Sequence, residues 1–381
     1  MRIALITDGI HPFVIGGMQK HSYYIAKYLA RLHFDISVFH CIDEGVQPDY
    51  PAVFTKSEME HLTFIEIKFV KKHTSPGHYI KNSELYSESI RLELIKLPKF
   101  DFIYTKGFTG LNLLKNKEML NTPIAVQLHG LEMFQPGGGL KQWAEKLILK
   151  KPARYCLKYA DVIFTYGGKI AEIIKKEKGP KTQIIAQHGA ADDFWLQTPS
   201  IDKKFENSFI FVGRHEHRKG LHLLLPVMQA IKEDFRLSIV GEVPNEKKII
   251  DNRIAYLGNK NAKEIYNLFQ QHTFLIVPSL AEGFPTIIVE AMAQGLVPIA
   301  TDVGAIEAII NTKNGFLIKS KHLSILSDAI KKALSLPLEL RKTMSKEARK
   351  TVLLNYNWDQ AAKKISTDIK EYCDYWKRTH R

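Results

Sequence analysis

The chain has 381 residues, which is long for a single hydrophobic core and predicts two domains. Hydrophobic residues make up 45% of it and charged residues 25%, which is typical of a globular protein. Three widely separated cysteines argue against a disulfide scaffold or a cysteine metal site, and no apolar run approaches the ~18 residues of a membrane span, so a reducing, cytoplasmic location is expected.

The first half of the chain alternates strand-like and helix-like segments. RIALIT predicts the first strand, and a loop containing Gly16-Gly17 leads into a segment with apolar residues at helical spacing. Further strands are predicted for DISVFHC, FDFIYTKG, PIAVQLHG, DVIFTYG and QIIAQHG. Strands that end in small residues and lead into helices indicate a doubly wound parallel sheet, which we place in residues 1–197.

A polar stretch without periodicity, residues 196–208, predicts a linker. After it we expect a second doubly wound domain over residues 205–356, and a C-terminal helix over 357–381 that packs back on the first domain. The strands of the second domain are predicted for FIFVG, RLSIVG, IAYLG, TFLIVPS, LVPIAT and GFLI. Ligands of such sheets bind beyond the carboxyl ends of the strands, so two facing sheets predict a site in an interdomain cleft.

The net charge of +14 comes from two segments, residues 141–181 and 331–381, which carry +7 each. In the first segment Trp143, Leu147 and other apolar residues alternate with lysines, and Pro152 is expected to break or restart the helix. This pattern predicts contact of residues 141–181 with an anionic membrane surface. The alternative is that both segments are solvated helix faces. We expect no nucleic-acid partner.

A basic turn follows the strand FIFVG. In VGRHEHRKG, Gly213 allows a close turn, Arg214 offers a planar fork of donors, and Lys219 offers a point charge. Such a turn before a helix can bind a diphosphate, because backbone amides and the helix dipole favour anions. The segment is not a P-loop, and by itself it is more typical of a solvated basic turn.

Two carboxylates stand eight positions apart in AEGFPTIIVEAMAQG. Glu282 precedes a Gly-Phe-Pro turn, and Glu290 lies in the helix that Pro285 is expected to begin. Amides near Phe284 and Thr286 can meet phosphate oxygens, and both carboxylates can accept hydrogen bonds from sugar hydroxyls. A hydrolytic pair is disfavoured, because one acid lies in a loop and the other two turns into a helix. For Glu290 the alternative is an acid on the helix surface.

Two features of the first domain could also approach a ligand. Gly16-Gly17 form a permissive loop, and His129 ends a middle strand, although a structural role for this histidine is the alternative. The chain contains no G-x-G-x-x-G and no D-x-D. These absences argue against a nicotinamide cofactor and against a site for Mg²⁺ or Mn²⁺.

Together these residues resemble the retaining glycosyltransferases of family 4, which have the GT-B fold. The central match is the E-x₇-E signature, which runs from Glu282 through Gly283-Phe284-Pro285 to Glu290. The surrounding matches are VGR and KG at 212–220, IVGE at 239–242, YLG at 256–258, GLVPIATDVGAIEAI at 295–309 and NGFL at 314–317.

The resemblance implies a role for each matched residue. Arg214 and Lys219 would clamp the diphosphate of a sugar donor. Glu282 would hold the transferred sugar, Glu290 would bind the ribose, and His129 would contact the sugar near its reacting side. The expected catalytic residues are therefore His129, Arg214, Lys219 and Glu282, and the expected donor-binding residues are Gly16, Gly17, Gly213, Gly258, Asn259, Gly283, Phe284, Pro285, Thr286 and Glu290.

The expected activity is transfer of a hexose, with retention and without a metal ion, from a nucleotide-diphosphate sugar, with UDP or GDP as the nucleotide. No cofactor is expected. The expected acceptor is a glycan or a lipid-linked saccharide in the synthesis of cell-surface polysaccharide or lipopolysaccharide, at the inner face of the cell membrane. The alternatives are a small soluble acceptor, a nucleotide-sugar epimerase or another GT-B enzyme, and a non-catalytic nucleotide-sugar-binding protein.

Overall fold

Two parallel sheets, one in each half of the chain, form the frame of the protein and confirm the predicted doubly wound architecture. Most of the predicted linker, residues 200–206, lies outside the described residues. The computed structural model describes residues 1–42, 45–69, 78–135, 140–186, 189–199, 207–319 and 322–380.

The first sheet has seven strands in the order β3-β2-β1-β4-β5-β6-β7. Its strands are β1 (Arg2–Ile6), β2 (Asp35–His40), β3 (Leu62–Glu66), β4 (Phe102–Lys106), β5 (Ile124–Gln127), β6 (Val162–Thr165) and β7 (Gln183–Ala186). The accompanying helices are α1 (Gly17–Arg31), α2 (Lys56–Met59), α3 (His78–Leu94), α4 (Leu111–Lys115), α5 (Lys117–Leu120), α6 (Leu140–Tyr159) and α7 (Gly168–Glu177).

The second sheet has six strands in the order β10-β9-β8-β11-β12-β13. Its strands are β8 (Ser208–Val212), β9 (Arg236–Val240), β10 (Ile254–Gly258), β11 (Phe274–Val277), β12 (Val297–Thr301) and β13 (Phe316–Ile318). The helices of this half are α8 (Leu221–Ala230), α9 (Ala262–Phe269), α10 (Thr286–Ala293), α11 (Leu323–Leu334), α12 (Leu338–Asn355) and α13 (Trp358–Thr379).

Each sheet is covered on both faces, which explains why its central strands are continuous apolar runs. In β1, Ile3 and Leu5 pack in the cluster that contains α1 and α13, whereas Ala4 packs on the opposite face with α3 and α6. The second sheet repeats this arrangement. Phe209 packs towards α8 and α11, and Ile210 packs towards α10 and α12.

Helix α6 runs without interruption through Pro152, so the predicted break at this residue is wrong. A proline inside a helix removes one backbone hydrogen bond. The turn that follows is held by Ala153, Cys156 and Leu157, which are fully buried in the core of the first domain. This apolar packing outweighs the lost bond.

The chain passes between the domains twice, once after β7 and once between α12 and α13, and the two passages lie side by side. The segment after β7 meets the end of α12 there, where the amide of Ala191 donates to the carbonyl of Tyr356 at 2.8 Å. Helix α13 then returns to the first domain, and Trp358, Ile365 and Ile369 join the same apolar cluster as α1. The first domain therefore contains residues from both ends of the chain.

Candidate functional site

A cavity of about 370 Å³ lies between the two domains. One wall comes from α1 and from the loops that follow β5 and β6. The other wall comes from the basic turn after β8 and from the loop and helix that follow β11. These are the carboxyl ends of the strands, where ligands of doubly wound sheets bind. The lining includes Gly17, Lys20, His21, His129, Tyr166, Arg218, Gly283, Phe284, Thr286 and Glu290.

A second cavity, of about 760 Å³, lies in the second domain. It is formed after β8, β9 and β10, and Tyr256 supplies an aromatic ring to it. The predicted residues Arg214, Gly258 and Asn259 line this cavity. The structure thus divides the predicted site residues between the interdomain cavity, which Gly17 and His129 also line, and this second cavity.

Glu282 is buried in the loop after β11 and bound directly by Lys219. The Nζ atom of Lys219 donates to Oε1 of Glu282 at 2.6 Å, and the hydroxyl of Ser279 donates to the same oxygen at 2.8 Å. Gly220 ends the basic turn with φ +73, and a Cβ at this position would overlap the carbonyl oxygen of Pro278. Only glycine fits there, so the turn that presents Lys219 depends on Gly220.

The two arginines of the basic turn share one carboxylate, Glu216. Its Oε1 atom lies 3.0 Å from Nε of Arg214, and its Oε2 atom lies 2.8 Å from Nε of Arg218. Arg218 also places Nη1 3.6 Å from Oε2 of Glu282 and lines the interdomain cavity. The side chain of Arg214 is 77% exposed. The structure therefore brings Arg218 to Glu282, although the sequence analysis had singled out Arg214.

The loop from Gly283 to Pro285 forms a close contact across the cleft. A Cβ at Gly283 would overlap the backbone carbonyl oxygen of His129, so the loop after β11 and the loop after β5 touch only because this residue is glycine. The ring of Phe284 lies 5.2 Å from that of Tyr166. Helix α10 begins at Thr286, and the backbone amides of a first helical turn have no partner within the helix. The amide of Ile288 donates to the carbonyl of Pro285 at 3.0 Å, so the amides of Thr286 and Ile287 are the ones available to an anionic ligand.

Glu290 is not the surface acid that was the alternative for this residue. It is 8% exposed, it lines the interdomain cavity, and its Oε1 atom lies 3.3 Å from Nζ of Lys20 on α1. Burial raises the pKa of Glu290, and the charge of Lys20 opposes this effect in part. Lys20 was missed by sequence analysis, because nothing in its neighbourhood marks it apart from other lysines on the helix.

His129 belongs to a polar cluster beneath the cavity. Its Nδ1 atom lies 3.2 Å from the hydroxyl of Tyr166. Nearby, Lys106 donates to Gln127 and lies 3.1 Å from Nδ1 of His21. Among the described residues Lys106 forms no ion pair, and burial lowers the pKa of Lys106 and of both histidines. His129 is therefore a neutral hydrogen-bonding group.

The remaining predicted residues differ in their distance from the two cavities. Gly17 begins α1 and lines the interdomain cavity, and a Cβ on it would meet nothing within 4 Å. Open space at this position allows a ligand to approach the backbone. Gly16, Gly213 and Pro285 are neighbours of lining residues but are not part of either wall.

Away from the cleft, α6 presents apolar side chains to solvent. Trp143 is 61% exposed, and Leu147 and Ile148 are exposed beside it. In the described part of the chain, no helix is both long and apolar enough to cross a bilayer. Within the same residues, no group of three or more histidine, cysteine or acidic side chains is placed to hold a metal ion.

Two family models match the chain in tandem. The model described as Glycosyltransferase Family 4 matches residues 15–188, and the model described as Glycosyl transferases group 1 matches residues 193–351. The first match spans β2 to β7 of the first sheet, and the second spans all six strands of the second sheet.

Relatives and solved structures match the chain over almost its whole length. An uncharacterized glycosyltransferase of Methanocaldococcus jannaschii is 26% identical over 97% of this chain and 98% of its own length. The structure of sucrose-phosphate synthase from Thermosynechococcus elongatus has a TM-score of 0.80 at 18% identity, with 97% of this chain and 98% of that chain covered. The structure of Anabaena HepE in complex with UDP-glucose has a TM-score of 0.66 at 14% identity, with 97% and 100% covered. These likenesses confirm the GT-B fold.

Proposed function

Since this chain is a GT-B glycosyltransferase of the group 1, family 4 type, we propose that it transfers a hexose from a nucleotide-diphosphate sugar to a saccharide acceptor, with retention and without a metal ion. The observation that carries the proposal is the group of Lys219, Arg218 and Glu282 at the edge of the interdomain cavity. It places two cations beside the first turn of α10, where a diphosphate would lie.

The two cavities suit the two ends of such a donor. The hexose would occupy the interdomain cavity, held by Glu282 and by the amides of Gly283 and Phe284. The base would occupy the second cavity, against Tyr256 and the backbone of Gly258 and Asn259. The complex of Anabaena HepE with UDP-glucose favours a uridine nucleotide, with GDP as the other candidate.

The site would lower the activation barrier mainly by stabilising the negative charge that develops on the leaving group. When the bond between the anomeric carbon and the phosphate oxygen breaks, the electron pair passes to the diphosphate. Lys219, Arg218 and the α10 amides would stabilise that charge. Loss of one such contact typically costs ~3–4 kcal/mol of barrier. Arg214 would join them if it exchanged Glu216 for phosphate.

Retention follows if the acceptor attacks on the face that the diphosphate leaves. The new bond then forms between the acceptor oxygen and the anomeric carbon, and the acceptor proton passes to the departing phosphate oxygen. Glu282 is unsuited to act as a nucleophile, since Lys219 and Ser279 both bind its Oε1 atom. His129, as a neutral imidazole, would orient a sugar hydroxyl rather than supply charge.

The acceptor is proposed to be a glycan or a lipid-linked saccharide of cell-surface polysaccharide synthesis. The support is the exposed surface of α6, where Trp143, Leu147 and Ile148 stand among lysines. A surface of this kind binds anionic lipid, which would place the enzyme peripherally on the inner face of the membrane.

A donor panel tests the proposal. The protein is titrated by calorimetry with UDP, GDP and ADP, and it is then incubated with the corresponding hexose donors in the presence of EDTA. We expect saturable binding of one nucleotide and slow donor hydrolysis that releases the sugar with its original anomeric configuration, read by NMR. No binding to any nucleotide, loss of turnover in EDTA or an inverted anomer would each contradict the corresponding part of the proposal.

A further inference from the structure

Lys20 and Glu290 form an ion pair across the interdomain cleft. Lys20 lies on α1 of the first domain and Glu290 on α10 of the second, 270 positions later in the chain. The Nζ atom of Lys20 lies 3.3 Å from Oε1 of Glu290 and 3.2 Å from Oδ2 of Asp192. One cation therefore serves two carboxylates in the wall of the interdomain cavity.

The position of Lys20 is set by the place where the chain crosses between domains. Asp192 stands in the crossing segment, and its Oδ2 atom also accepts a 2.6 Å hydrogen bond from Tyr24, one turn beyond Lys20 on α1. The ring of Tyr24 is stacked on Trp358, with 5.0 Å between the ring centroids, at the start of α13. Lys20 is thus held by α1 and by Asp192 of the crossing segment, and its side chain extends to Glu290 of the second domain.

The charges of this group depend on one another. Burial raises the pKa of Glu290, and Lys20 is the nearest group that opposes this. Burial alone would lower the pKa of Lys20, but Glu290 and Asp192 together more than offset it, and the net shift is upward. The titratable groups that face Glu290 are Lys20, Tyr24 and Asp192, and His11 lies beside Lys20 and Asp192. Without Lys20, two carboxylates would face each other in a buried place.

We propose that Lys20 is a positioning residue for the donor, which keeps Glu290 ionised and turned so that this carboxylate can accept hydrogen bonds from the ribose. This inference rests on the proposed function, in which Glu290 binds the ribose. Glu290 of the second domain would make the ribose contact, and Lys20 of the first domain would complete it by holding Glu290 in place. Donor affinity then depends on closure of the cleft, because opening the cleft separates Lys20 from Glu290.

The test uses the substitution Lys20→Met in the full chain, with Lys20→Arg as the conservative variant. Lys27→Met is the matched control, since Lys27 lies on the same helix and bonds to Tyr23 outside the cavity. Binding of the nucleotide found for the wild type is measured by calorimetry between pH 5.5 and 8.5. For Lys20→Met we expect about tenfold weaker binding at pH 7, as for loss of one hydrogen bond to a charged group. Lys20→Arg should restore most of the affinity, and Lys27→Met should not change it.

The pH profile separates this role from a merely structural one. When Lys20 is replaced, the pKa of Glu290 rises further, so binding should be lost at a higher pH on the acid side than in the wild type. In a background of Glu290→Gln, Lys20→Met should cost little more, because the two residues act as a unit. Parallel pH profiles, or full additivity with Glu290→Gln, would overturn the inference. If the wild type binds no nucleotide at any pH, the proposed function fails instead.

Discussion

The Nζ atom of Lys219 lies 2.6 Å from the Oε1 atom of Glu282, and both residues stand at the carboxyl ends of strands of the second sheet. The pair joins the basic turn after β8 to the loop after β11, so each partner fixes the place of the other. A buried ion pair of this kind is strongly disturbed when only one partner is removed. The pair is therefore the first place to test the site.

We expect Lys219→Met to lower kcat by about 100- to 1000-fold, because it removes a cation from the proposed path of the departing diphosphate. Glu282→Gln should also lower kcat, and the double variant should be hardly worse than Lys219→Met alone. Lys263→Met is the control, since Lys263 is exposed on α9. Normal turnover in a folded Lys219→Met protein would disprove the assignment.

The two arginines that share Glu216 should differ in their effects. Arg218→Gln is expected to lower kcat about tenfold or more, because Arg218 lines the interdomain cavity beside Glu282. Arg214→Gln is expected mainly to weaken nucleotide binding, because Arg214 lines the second cavity. Steady-state kinetics and calorimetry on both variants check this. If only Arg214→Gln lowers kcat, Arg214 must turn inwards during the reaction.

Gly283→Ala should prevent the cleft from closing. The added Cβ would overlap the carbonyl oxygen of His129 on the opposite domain, so the two loops must move apart. We expect activity to fall at least ~100-fold, since small misplacements in a site have effects of this size. The melting temperature should change little, because the strain is relieved by opening. Small-angle scattering should show a larger radius of gyration, and an unchanged radius with full activity would contradict the contact.

Stability should rise with pH over the range between the lowered pKa of Lys106 in the folded protein and the ordinary lysine pKa of about 10.4 in the unfolded chain. Burial lowers the pKa of Lys106, so the unfolded chain binds a proton in this range that the folded protein does not. Each such proton contributes a slope of about 1.4 kcal/mol per pH unit. Lys106→Met should reduce the slope, measured by urea unfolding at several pH values. An equal slope in the variant would show that Lys106 remains charged in the fold.

Trp143→Ala with Leu147→Ser should weaken binding to anionic vesicles. Both side chains are exposed on α6 in the segment where lysines are dense. Flotation with anionic and neutral vesicles at low salt measures the effect. Leu92→Ser on α3 is the control, since Leu92 is also exposed but lies in another part of the surface. No preference of the wild type for anionic vesicles would remove the support for a membrane-bound acceptor.

The sequence alone predicts the parts of the fold in which pattern and motif agree. β11, α10 and β12 follow from apolar runs around the E-x₇-E segment, and they occupy the predicted places. β3 was not predicted, because it is a half-exposed edge strand, LTFIE, without a continuous apolar run. The uninterrupted α6 was also not predicted. The expectation that Pro152 breaks a helix considers only the local backbone and not the buried packing of the turn that follows it.

The candidate site residues predicted from sequence lie mainly in the second domain, which contains the E-x₇-E segment from Glu282 to Glu290. Glu282, Glu290 and Lys219 could be selected because the sequence around them resembles that of the family 4 glycosyltransferases. Lys20 and Arg218 could not, because their roles depend on which side chains meet once the two domains close. A single sequence contains no information on which residues of α1 and α10 come into contact, even where each helix has a strong local pattern.

Helix α13 also determines when the first domain can be completed during synthesis. Its inner face, with Trp358, Ile365 and Ile369, belongs to the core that α1 and β1 begin. These residues follow the whole second domain in the chain, so one apolar face of the N-terminal sheet stays partly uncovered until the second domain has been made. We expect a nascent chain that ends before residue 358 to recruit chaperones at α1, although all seven strands of that sheet are already made.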